Sequence, residues 1–152
     1  MKETGFKLAV VDAANVAHSS PDRTPRLKNI LDMKRALEVK GYSEIRFFAD
    51  AKLRHDIDEK SAYEDLVRTG LILQTPAGRQ ADEFLLQYAN EKNGVVVSND
   101  AFDEWKATFP WVKSRARRIT FSIVDGEIIF QIPAVDFPRQ KDMSAPIMVL
   151  AS

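Results

Sequence analysis

The sequence predicts an α/β domain with a mainly parallel central sheet and helices on both faces. Three observations carry that expectation. Apolar, β-rich runs alternate with amphipathic stretches in the order β-α-β-α-β-α-β-α-β, the signature of a parallel sheet built from crossover units. Val95-Val96-Val97 is apolar throughout, as suits a parallel strand covered on both faces. Asp125-Gly126, set between two β-rich runs, signals a hairpin that adds an antiparallel edge.

The elements follow in order. Residues 6–11 are expected to form the first strand, and a loop with turn formers Ser19, Ser20, Pro21 and Asp22 comes next. Thr24-Pro25 supplies an N-cap and a first-position proline for a helix. Its Leu27, Ile30, Leu31, Ala36 and Leu37 recur at helical spacing until Gly41 ends it. Residues 44–49 predict a second strand, 60–68 a helix closed by Gly70, and 71–74 a third strand. The helix expected over 81–91 buries Ala81, Phe84, Leu85, Tyr88 and Ala89. After strand 95–97, a helix is expected over 101–107, stopping before Pro110. Residues 118–124 and 127–132 form the hairpin. Residues 1–135 read as one domain, and 136–152 as a tail whose apolar segment 147–150 could pack on it or hold a homodimer.

Bulk properties narrow the class. A chain of 152 residues with 45% hydrophobic and 29% charged residues fits one ordinary globular domain. No apolar run approaches the roughly 20 residues of a membrane span. Residues 1–7 reach a strand too soon for a signal peptide, so a cytoplasmic protein without membrane partners is expected. Without cysteine there is no disulfide and no thiolate zinc site in these residues. The 22 basic and 22 acidic residues balance, which argues against nucleic-acid binding by bulk charge and leaves local binding open.

The chemistry lies in acids placed where the carboxyl edge of the sheet should be: Asp12, Asp82, Asp100 and the pair Asp103-Glu104. Asp12 follows Leu8-Ala9-Val10-Val11, so its charge must be exposed or compensated. Ala13-Ala14 keeps the next turn free of bulk, and Asn15 can brace it. Asp82 stands in the first turn of its helix, with Glu83 about a quarter turn away. Asp100 follows Val97-Ser98-Asn99, and Asp103 and Glu104 come one turn later. Each acid alone is also explained as a turn, cap or first-turn residue. Together at one sheet edge they point to a hard-cation site, and the cation to phosphate chemistry. If the first and fourth strands are neighbours, Asp12 and Asp100 meet at the switch point where open α/β sheets bind ligands.

At these residues the chain resembles the NYN branch of the PIN-like ribonucleases, especially the Regnase-type endoribonucleases of mRNA decay. Asp12-Ala13-Ala14-Asn15-Val16 is similar to the family's Asp-Gly-(Ser/Ala)-Asn-Val, and Val97-Ser98-Asn99-Asp100 matches its Val-Ser-Asn-Asp, with Phe102 two residues on. Asp82 matches an acidic helix start, Glu104 the last acid, and Thr120-Phe121-Ser122 a final strand. The chain departs at Ala13, where the family has glycine, and at Ala81, where it has a second aspartate. The CCCH zinc finger of the animal proteins is missing from this sequence.

The resemblance implies a three-layer α/β/α PIN-like, Rossmann-like fold and Mg²⁺- or Mn²⁺-dependent hydrolysis of single-stranded RNA. The expected metal-binding acids are Asp12, Asp82, Asp100, Asp103 and Glu104. The expected catalytic group is Asp12, Asp82, Asp100 and Glu104, with Asn15 and Asn99 orienting the acids or contacting phosphate. RNA contacts are expected first from Lys113, Arg115, Arg117 and Arg118 beside Trp111, then from Lys52, Arg54 and Arg79, then from Arg23 and Arg26. His18 and His55 are not required. The alternative is a catalytically weak or inactive RNA-binding module of the same fold, to which the loss of an acid at Ala81 lends weight. A haloacid-dehalogenase-type phosphatase would need an aspartate at Ala14, and a dinucleotide enzyme a Gly-x-Gly-x-x-Gly after the first strand; both are absent.

Overall fold

The computed structural model describes residues 5–131. Six strands form one sheet: β1 (Leu8–Asp12), β2 (Glu44–Ala49), β3 (Ile72–Gln74), β4 (Val95–Val97), β5 (Arg118–Val124) and β6 (Glu127–Gln131). Their spatial order is β3-β2-β1-β4-β5-β6, with every pairing parallel except the last. The chain therefore builds outward from β1 to β3, then returns to the other side of β1 with β4. That reversal is the topological switch point. Asp125 and Gly126 both have positive φ, 53° and 80°, as a two-residue hairpin with right-handed strand twist requires.

Alternation along β1 divides the core. Ala9 and Val11 face one layer, formed with α1 (Ala13–Ala17), α2 (Leu27–Lys40), α3 (Ala51–Asp56) and α4 (Lys60–Arg68). Leu8 and Val10 face the other, where α5 (Ala81–Lys92) supplies Leu85, Leu86 and Ala89, and the 102–112 segment supplies Phe102, Phe109 and Val112. The result is the expected three-layer α/β/α domain. Among the described residues no helix is long and apolar enough to cross a membrane.

Four local expectations change. Residues 13–17 form α1 rather than loop, because the Asp12 side chain caps it by accepting from the Asn15 amide. A further short helix, α3, follows β2, capped by Asp50 through the Lys52 amide. The next helix begins at Leu27, not at Thr24-Pro25. Asp22 takes the Thr24 amide, Arg26 is extended, and the cap comes from Asp58, whose Oδ1 accepts from the Leu27 amide at 2.7 Å. Finally, residues 101–107 make only a 3-10 turn at Asp103–Trp105. Asp100 Oδ1 accepts from the Phe102 amide, and Phe102, left-handed at φ 54°, drives its ring into the α5 core. That anchorage outweighs helical propensity. The expected tail, 136–152, lies outside the described residues, as does Ile132 at the hairpin's end.

Candidate active site

Parallel register brings the ends of β1 and β4 level. Val11 pairs with Val97, so Asp12 stands beside Ser98. Both are buried, Asp12 with 8% exposure and Ser98 with none. Ser98 Oγ donates to Asp12 Oδ2 at 3.0 Å and accepts from the Asp100 amide at 3.0 Å. One hydroxyl thus links the two strand-end aspartates. Asn15 closes the arrangement from α1: its Oδ1 accepts from the Asn99 amide at 2.9 Å, tying the turn after β1 to the turn after β4.

The acids are under electrostatic load. Burial, with some help from the charges of Asp82 and Asp100, pushes the Asp12 carboxyl up to about 6 despite the hydrogen bonds from Asn15 and Ser98 that oppose the shift. Asp82, in the first turn of α5, is also pushed up to about 6, by burial first and then by the charges of Asp100, Glu104 and Asp50. Among the described residues, Asp12, Asp50, Asp82, Asp100 and Glu104 take part in no ion pair. Like charges gathered without a counter-cation raise each other's pKa and favour a bound cation.

The donor set is hard oxygen, the chemistry that suits Mg²⁺ or Mn²⁺. Among the described residues no three His, Cys, Asp or Glu side chains are grouped so as to hold a metal ion directly. Mg²⁺ often takes only one or two carboxylates and keeps several waters. The residues fit a hydrated ion of that kind.

Beside Asp12 an open groove of about 630 Å³ runs between α1 and β5, with Asn15, His18, Arg23 and Ser122 among its lining residues. It exists because β5 continues past the end of β4. The last pair is Val97 with Ile119, and β5 runs on to Val124. The Asn99 side chain bridges the step, its Nδ2 donating to the Phe121 carbonyl and its Oδ1 accepting from the Phe121 amide, both at 2.9 Å.

Residues 5–143 match the family of Zc3h12a-like ribonuclease NYN domains. The chain belongs to this family. None of the curated proteins matches it. Two solved structures of the protein-only RNase P 2 (PRORP2) of Arabidopsis thaliana are similar to this NYN domain at 20% identity, with TM-scores of 0.67 and 0.66. They cover 84% and 85% of this chain, and the chain spans 30% of each of theirs. The fold is therefore that of the PIN-like RNA nucleases.

In the NYN domain the charges of Asp82 and Asp100 reach Asp12, those of Asp100 and Glu104 reach Asp82, and Asn15 joins from α1 through its bond with Asn99. Asp103 is different. Its carboxylate is exposed and ion-paired with Lys106 at 2.6 Å, which holds its pKa down, while Glu104 is the neighbour whose charge reaches Asp82. Glu83 is likewise taken, by Arg79 at 2.9 Å.

The expected RNA contacts divide into free and committed groups. Lys113 and Arg115 are exposed and form no ion pair among the described residues. Arg118 is half-buried, donates to the carbonyls of Val112 and Ser98 at 3.3 Å, and lies close enough for its charge to feel Asp100. Arg117 is structural. It donates to the Gly94 and Ala89 carbonyls at the end of α5 and lies over the Phe6 and Trp111 rings, 5.1 and 4.3 Å from their centres. Lys52 pairs with Asp56, Arg54 with Glu64, and Arg26 with Asp22. Arg79, besides its pair with Glu83, sits over the Phe84 ring. The Asn99 side chain spends its Oδ1 and one Nδ2 proton on the Phe121 backbone, which leaves the second Nδ2 proton.

Two residues join the site without standing out in the sequence: Ser98, one small hydroxyl residue within Val97-Ser98-Asn99-Asp100, and Asp50, which follows the Phe47-Phe48-Ala49 strand end and whose charge reaches Asp82.

Proposed function

We propose that this NYN domain is a Mg²⁺- or Mn²⁺-dependent endoribonuclease acting on single-stranded RNA. One observation carries the reading: the Asp12–Ser98–Asp100 chain at the switch point, with Asp82 close by and none of these acids ion-paired among the described residues. Asp12 and Asp100 would hold the ion, with Asp82 and Glu104 doing so directly or through water. When bound, the ion supplies Lewis-acid activation of water and neutralises charge on the phosphate and the leaving oxygen. Ser98 fixes the separation of the two principal acids, and Asn15 locks the turns that bear them. Arg118 offers positive charge to the phosphate from the β5 side. Lys113 and Arg115 extend that charge outward along the approaching strand.

The test incubates wild type and Asp100→Asn with fluorescent single-stranded RNA in Mg²⁺, Mn²⁺ or EDTA. Internal cleavage that needs metal and vanishes in the variant is expected. A second reading, an RNA-binding module without catalysis, is favoured by the lack of three converging metal ligands among the described residues. Folded protein that binds RNA and cleaves it in neither metal would decide for that reading.

A further inference from the structure

We propose that the groove between α1 and the β5–β6 hairpin is a nucleotide subsite that recognises the ribose 2′-hydroxyl, with His18 as the acceptor. The inference deepens the reading above, since it names what distinguishes RNA from DNA at the same edge.

The argument starts from the tautomer of His18. Its Nδ1 lies 2.9 Å from the Ala14 carbonyl oxygen. A carbonyl oxygen only accepts, so Nδ1 carries the proton, and in the neutral ring Nε2 is a bare acceptor. No group among the described residues donates to it, although His18 lines the groove. A free acceptor in the groove suits a hydroxyl that donates, and the 2′-hydroxyl is such a group.

The remaining free groups suit phosphate. Asn15 has its Oδ1 occupied by the Asn99 amide, leaving its Nδ2 as a donor within the groove. Arg23 also lines the groove and forms no ion pair among the described residues. Its backbone is held left-handed at φ 63°, with its amide donating to the Ser20 carbonyl at 2.8 Å. A groove of about 630 Å³ is in the range that holds one small ligand. That volume has room for one unpaired nucleotide. The nucleotide bound here would neighbour the phosphate held at Asp12 and Asp100.

The experiment measures binding in Mg²⁺ in the Asp100→Asn background, by fluorescence anisotropy. The probes are a labelled single-stranded RNA, the same sequence as DNA, and RNAs with one 2′-deoxy substitution at each position in turn. RNA is expected to bind about three- to tenfold more tightly than DNA, the worth of roughly one net hydrogen bond, with most of the difference recovered at a single 2′-deoxy position. Adding His18→Asn keeps an amide donor for the Ala14 carbonyl and removes the second ring nitrogen. It should abolish the preference and silence that position. Arg23→Asn, a residue tolerant of positive φ, should weaken RNA and DNA alike and flatten the salt dependence. The proposal is overturned if His18→Asn weakens both nucleic acids equally, if it leaves the preference intact, or if neither nucleic acid binds. Cleavage plays no part in these readouts, so a domain that never cuts RNA could still uphold the subsite, and an active one could refute it.

Discussion

Asp12 shows how far a single side chain governs this domain. Its carboxyl titrates near 6 in the folded chain against 3.8 when free, so between those values the folded state holds a proton that the unfolded state has lost. The contribution of Asp12 to stability is therefore fully present below about pH 4 and is lost as pH rises through about 6. For a group this buried the full difference is about 3 kcal/mol. Metal-free Asp12→Asn should thus be more stable than wild type at pH 7, and the gain should vanish near pH 4; urea unfolding in EDTA at both values checks it. The same variant should not cleave RNA. Ser98→Ala tests the link between the aspartates. It leaves the Asp100 amide and Asp12 Oδ2 without their partner, so stability should drop by about 1–2 kcal/mol. Cleavage should fall on the order of 10- to 100-fold through misplacement alone, as melting and initial rates would show.

At the scale of elements, caps and clamps decide what an alanine scan would find. Asp58→Ala should cost about 1 kcal/mol, the worth of an N-cap, although it lies outside the helix it caps. Arg117→Ala should lower the melting temperature through lost hydrogen bonds at the end of α5 and lost stacking on Trp111. Arg115→Ala should leave melting unchanged and weaken RNA binding with a shallower salt slope. Anisotropy alongside melting separates the two roles. The same distinction explains what the sequence disclosed. Strands announce themselves by unbroken apolar runs, so β2 and β4 have the predicted limits. Asp12 and Asp100, after the first and fourth strands, were legible for the same reason. The start of α2 was not, because Asp58 stands 31 residues from the amide it caps. Nor was the turn at Asp103–Trp105, where burial of Phe102 overrides local propensity. Arg117 and Arg115 look alike in sequence, and only the carbonyls and rings around Arg117 set it apart.

For the whole molecule, the decisive contact is the approach of β4 to β1, since it places two chain segments more than 80 residues apart in one site. Gly94 guards it. A Cβ there would lie 2.9 Å from Leu8 Cδ2 and 3.1 Å from the Leu8 carbonyl oxygen. Gly94→Ala should therefore destabilise the domain by about 1–3 kcal/mol and reduce cleavage with it, measurable as a shifted urea midpoint and a lower rate. The uncompensated acids have a wider consequence. Asp12 and Asp82 weaken the fold at neutral pH, and neutral substitutes would relieve it. Drift under selection for folding alone would erase them, and each erasure would yield a protein that expresses and melts as well as its ancestor or better. An inactive descendant would thus pass every test of foldedness. On the function proposed above, a lineage that keeps these charges is held to them by the ion and phosphate they would bind.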